Sequence, residues 1–168
     1  MCINSASGRL TTMCLDLALG EIMFKHILVP TDGSPLSHSA AEQAVALAKL
    51  TGAQLTAFHV APAYHFDVSE ARVHHFVAPT EYSSRIAEEV QRHLDEVKQI
   101  AQAAGISCDA HYMLSDFPAE AIVDAVERYG CDAVVMGSHG RKGLNKLLLG
   151  SETEKVLVST KVPVVVTH

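Results

Sequence analysis

From Met23 onward the chain switches between two hydrophobic periods. Phe24 to Val29 is a compact apolar run, which predicts a buried strand. Ser34-Pro35 reads as an N-cap followed by proline at the first helical position. Leu36, Ala40, Ala44, Leu47 and Ala48 then share one face of a helix that runs to about Leu50, with Gly52 closing it. Gln54 to Val60 predicts a second strand. Residues 61–80 hold Pro62 and Pro79 and little periodicity, which predicts a long loop of the kind that commonly carries function.

A long amphipathic helix follows from Glu81, with Ile86, Val90, Leu94, Val97 and Ala101 on its apolar face and Gly105 as its stop. Ile106 to Met113 predicts a third strand, and Pro118 to Tyr129 a third helix with Ile122, Ala125, Val126 and Tyr129 buried. Asp116 reads as that helix's cap, and Gly130 ends it. Asp132 to Met136 is a fourth strand, continuously apolar from Ala133, as expected where both faces are covered. A glycine-rich loop leads to a last helix from Ser151 to Thr160 and a final strand at Val164-Val165-Val166. Strict alternation of this kind predicts an α/β fold, a doubly wound parallel sheet with helices on both faces. Ligands in such sheets sit beyond the carboxyl ends of the strands, where the winding reverses.

The 168 residues suit one domain, which the pattern puts at 23–168. Residues 1–22 read as an N-terminal extension, either an over-extended reading of the gene or a loose arm, with Met23 as the native start. Arg9 and the apolar stretch Leu10 to Leu19 mimic a signal peptide. Asp16 interrupts the stretch and no small-residue cleavage site follows, so the expected location is the cytoplasm. No apolar run nears the roughly 20 residues needed to span a bilayer. A net charge of −6 argues against nonspecific nucleic-acid binding, which draws on clustered Lys and Arg. It leaves room for one small anion held by main-chain amides.

Cys2, Cys14, Cys108 and Cys131 form no CxxC pair, so reduced thiols are expected rather than zinc or disulfides. His65, His74 and His75 cluster without a paired carboxylate or an HxxxH spacing to make a metal site.

The chemistry concentrates between Val134 and Ser151. This segment leaves a buried strand, passes Gly137, Gly140, Gly143 and Gly150, and enters a helix. Glycine lets a backbone approach a ligand closely, and a helix N-terminus offers amides and positive partial charge to a phosphate. The loop is neither a Walker A motif nor a GxGxxG turn. A plain flexible connection fits the glycines as well. Ser151 to Glu154 also reads as a capping box, a use of the serine hydroxyl that can coexist with phosphate binding.

Gly137, two residues, Gly140, nine residues, then Gly150-Ser151 resembles the ATP-binding signature of the universal stress protein family. The resemblance runs from Met23 to His168. It takes in the opening Ile27 to Ser34, His59-Val60 at the end of the second strand, and the closing Val162 to Val166. It implies a five-stranded sheet of order 3-2-1-4-5, so that the first and fourth strands flank one crevice. By position it implies that Pro30, Thr31 and Asp32 meet the adenosine and that the main chain of Val60 meets the adenine edge. Met136 and Gly137 would wall the ribose. Gly140, Gly150 and Ser151 would contact phosphates, with Arg141, Glu152 and Thr153 alongside. It further implies a homodimer paired through the last strands.

Several of these residues have plainer uses. Asp32 suits a turn before Gly33, Val60 suits the core, Ser138 and His139 suit loop shaping, and Arg141, Lys142 and Lys146 suit a solvated surface. The function expected is an ATP-binding stress or regulatory protein, taking ATP or another adenine nucleotide with or without Mg2+. Hydrolysis is expected to be slow or absent, because Asp32 is the one acid read into the crevice. The alternative, an ATP-hydrolysing or nucleotidyl-transferring enzyme of the same fold, calls for HxGH-type or Lys-Met-Ser-Lys-Ser-type motifs, which the chain lacks. A receiver-like domain calls for an acidic pair after the first strand, where Asp32 stands alone.

Overall fold

The structure, a computed structural model, describes residues 24–63, 79–140 and 149–168. Outside them lie the 1–22 extension, Met23, His65, His74, His75, most of the predicted 61–80 loop, and Arg141, Lys142, Gly143 and Lys146. Five strands and four helices alternate in the order β1 (His26–Pro30), α1 (Pro35–Thr51), β2 (Gln54–Ala61), α2 (Pro79–Ala103), β3 (Cys108–Leu114), α3 (Pro118–Tyr129), β4 (Ala133–Gly137), α4 (Ser151–Ser159) and β5 (Val164–Thr167). All pairings are parallel, and the sheet order is β3-β2-β1-β4-β5.

Side-chain alternation along the strands splits the core into two halves. Ile27, Val29, Leu55, Ala57, Ala133 and Val135 pack with the small, alanine-rich face of α1 and with Val90, Leu94 and Val97 of α2. On the other side Leu28, Phe58, Val134 and Met136 pack with Ile122, Ala125 and Val126 of α3 and with Val156 of α4. Every residue of β4 is buried, whereas no residue of the edge strands β3 and β5 is fully buried. Winding reverses between β1 and β4, which opens the crevice between their carboxyl ends.

Helix ends follow local chemistry at α1. The Ser34 hydroxyl accepts from the Ser37 amide at 3.2 Å, Pro35 follows, and Gly52 closes the helix in the left-handed region. Two expectations are corrected. Phe117, not Asp116, occupies the cap position of α3, and the first turn is served instead by Glu152, whose carboxylate accepts from the Ala119 amide at 3.0 Å. Gly150 is the N-cap of α4, so Ser151 is already helical and exposed, and the Ser-x-x-Glu capping box does not form.

Cys108 and Cys131 are free thiols. Burial, reinforced by Asp132, pushes the Cys131 thiol up to about 12 against a hydrogen bond to Thr56, as suits an inert interior thiol. Among the described residues no helix is long and apolar enough to cross a membrane.

Candidate functional site

The site begins where β1 runs out. The Thr31 amide extends the β1–β2 ladder by one bond, donating to the Phe58 carbonyl at 2.9 Å. The chain then turns through Asp32 and Gly33, and Gly33 has a φ of +73°, a conformation glycine adopts freely. Two side chains brace the turn from within. The Thr31 hydroxyl accepts from the Gly33 amide at 3.3 Å, and an Asp32 carboxylate oxygen accepts from the Ser34 amide at 3.0 Å. The plainer use of Asp32 as a turn residue is therefore real.

Its second oxygen has another neighbour. A methyl group added at Gly140 would stand 2.8 Å from Asp32 Oδ2. The glycine-rich loop thus comes back against the turn after β1, as the strand order requires. At the base of the loop, a methyl group on Gly137 would meet Leu36 Cβ at 3.2 Å, so the first turn of α1 closes over the end of β4.

Three bonds fix the main chain of Gly137 and Ser138. The Ser138 amide donates to the Thr167 carbonyl of β5 at 2.8 Å, and the Gly150 amide donates to the Ser138 carbonyl at 2.8 Å. The Thr153 hydroxyl, buried in α4, donates to the Gly137 carbonyl at 3.0 Å. Both ends of the 138–150 loop are therefore pinned at one place. Replacing Thr153 with valine keeps the shape and leaves that acceptor without its hydroxyl donor. We expect it to lower stability by about 1–2 kcal/mol in urea denaturation.

The first α4 bond runs from the Glu154 amide to the Gly150 carbonyl. The amides of Ser151, Glu152 and Thr153 have no intrahelical acceptor and face the crevice end of the helix. Acidic residues at this position would repel an anion, yet Glu152 is turned away. Its carboxylate takes Lys155 Nζ at 2.7 Å and the Ala119 amide. The lysine bond, helped by that amide and opposed by burial, holds the Glu152 carboxyl below the usual range.

The predicted residues thus take different parts. Pro30 ends β1 and Thr31 and Asp32 follow it, Gly137 ends β4, Gly140 approaches Asp32, and Gly150 is bonded to Ser138 with Ser151 opening α4 beside it. Met136 lies in the core beneath α3 and α4, and Val60, half-buried, packs against the same cluster at the end of β2. Thr153 holds the wall of the crevice, Glu152 serves α3, and Arg141 lies outside the described residues. His59 and His93, two buried imidazoles under the Thr31–Gly33 turn, belong to no motif of the chain that marks a role for their rings. The signals were a histidine inside the apolar run of β2 and another at core spacing between Val90 and Val97.

A family model described as the universal stress protein family matches residues 23–168. A universal stress protein of Methanocaldococcus jannaschii, MJ0531, is 37% identical over 153 residues, spanning 88% of this chain and 84% of its own. The solved structure of protein MJ0577 from the same organism superimposes with a TM-score of 0.72 at 29% identity, covering 86% of this chain and 96% of that one. A universal stress protein crystallised in complex with cAMP shares the fold at a TM-score of 0.64 and 24% identity, covering 86% and 97% of the two chains.

Proposed function

The chain belongs to the universal stress protein family, and from that premise we propose that it binds an adenine nucleotide, ATP or a close relative, as a regulatory module of the cytoplasm. The observation that carries the reading is the close approach of Gly140 to the Asp32 carboxylate, where an added methyl group would stand 2.8 Å from Oδ2 and force that side chain to turn. It joins the polar turn after β1 to the amide-rich loop after β4 in a single crevice.

In this reading Pro30, Thr31 and Asp32 take the adenosine, and the main chain of Val60 takes the adenine edge. Met136 and Gly137 wall the ribose through their backbone, since the Met136 side chain is committed to the core. The polyphosphate lies along Gly140, Arg141, Gly150 and Ser151, drawn by the first-turn amides and positive end of α4. Glu152 and Thr153 contribute their amides there, while their side chains hold the surrounding structure. Mg2+, where present, would accompany the phosphates. The cAMP held by one structural relative fits this choice of ligand class.

Hydrolysis is slow or absent in this account, because activating water asks for a base or metal set beyond Asp32. Calorimetric titration with ATP, ADP and AMP tests the reading. Saturable binding is expected, with little or no ADP formed on prolonged incubation with ATP. Absence of binding by all three nucleotides would overturn it.

We further propose a homodimer joined along β5. Val164–Thr167 is an edge strand, and Val165, together with Leu157 and Val158 of α4, is exposed. Soluble proteins generally cover such edges. Light scattering at micromolar concentration should report a dimeric mass, and Val165→Lys should shift it toward monomer. A monomeric parent chain would contradict the proposal.

A further inference from the structure

We propose that His59 is a positioning residue for the nucleotide site, holding the turn that aims Asp32 from beneath, with His93 as its backing. The inference rests on the nucleotide-binding reading above and adds to it a part of the machinery that touches no ligand.

The β1–β2 register ends at Pro30 and Phe58. Beyond it, the Thr31 carbonyl is met by a side chain, His59 Nδ1, at 2.7 Å. Thr31 and His59 are both buried, at 7% and 5% exposure, so water is a poor substitute for that donor. A carbonyl oxygen can only accept, which puts the proton on Nδ1 and makes the bond specific to one nitrogen of the ring.

The His93 ring, from the middle of α2 and 3% exposed, lies 4.9 Å from that of His59 at an angle of 60°. It also fills the space under Gly33, where an added methyl group would run into its Cδ2 and Nε2 atoms. Thr31 is thus pulled from below by one imidazole while Gly33 rests on the other. Asp32 stands between these two fixed points, with its carboxylate directed to the Ser34 amide and to Gly140. A tilt of the turn would move that carboxylate out of the crevice. Neither histidine lies on the loops that form the crevice wall, so the positioning comes from β2 and α2.

Two variants of the full chain separate this role from simple space filling. Asparagine presents an amide nitrogen near the place of Nδ1, whereas leucine fills the volume without a donor. His59→Leu should weaken ATP binding by on the order of threefold to tenfold, and His59→Asn should recover most of that loss. Equal loss in both, or loss in neither, would overturn the proposal. Nitrogen-15 NMR of the parent protein gives a second reading that needs neither nucleotide nor substitution. A proton on His59 Nδ1 is expected, and a ring protonated only at Nε2 would overturn the clamp. Should the parent chain bind none of ATP, ADP and AMP, the nucleotide reading fails, while the NMR result still decides whether the clamp exists.

Discussion

Alanine at Gly150 should weaken adenine-nucleotide binding by roughly fivefold to a hundredfold, the equivalent of about 1–3 kcal/mol. The dihedral angles are not the cause, since φ −65° and ψ 144° suit any residue. The cost is steric and falls on main chain. The new methyl group would stand 2.9 Å from the Ser138 carbonyl oxygen and 3.3 Å from His139 Cα, neither of which can rotate aside. Relief requires Ser138 and His139 to move away from Gly150, which breaks the 2.8 Å bond that closes the loop. The amides meant for the phosphates would then lose their alignment.

Gly140→Ala makes an informative partner, because its obstacle is a carboxylate oxygen of Asp32, the end of a side chain that can turn. It should reduce affinity with little change in stability, whereas Gly150→Ala should reduce both. Calorimetry and urea denaturation on the two variants check this. Unchanged affinity in both would mean that the loop is not the phosphate site.

Gly33→Ala is expected to destabilise the fold by about 2–4 kcal/mol. Part of that is conformational, since an L-residue at φ +73° pays roughly 1–2 kcal/mol that glycine avoids. The remainder is overpacking against the His93 ring, which is hemmed in by α2 and His59. The two contributions can be separated. Adding His93→Ala to Gly33→Ala should recover the overpacking part and leave the conformational part, a coupling readable in a double-mutant cycle. A strictly additive cycle would show that the ring does not press on Gly33.

Much of the architecture was legible because its causes are local. Ser34-Pro35 opens α1, Gly52 and Gly130 close α1 and α3, and Ala133 to Met136 forms a fully buried strand, all through rules that act within a few residues. Strand order was not legible in that way and came from the family resemblance. Strand ends shifted where a distant group intervened. The first strand, read from Phe24, begins at His26, since Asp132 takes the amides of Lys25 and His26. The third, read from Ile106, begins at Cys108, because the Ile106 amide is still closing α2 on the Ala101 carbonyl.

The site shows the same division. The glycine spacing and Asp32 could be read along the chain. Glu152 capping α3, Thr153 gripping Gly137 and His59 gripping Thr31 join residues 33, 16 and 28 positions apart. No local pattern marks such pairs. For Thr153 and His59 the trace in the sequence is a polar residue standing where the period calls for an apolar one.

The most direct test of the central claim is amide NMR of the intact chain during titration with ATP. Resonances of Thr31 to Gly33, Gly137 to Gly140 and Gly150 to Thr153 should move together and saturate at one stoichiometry. Shifts confined to other parts of the sheet, or none at all in these three segments, would contradict the account.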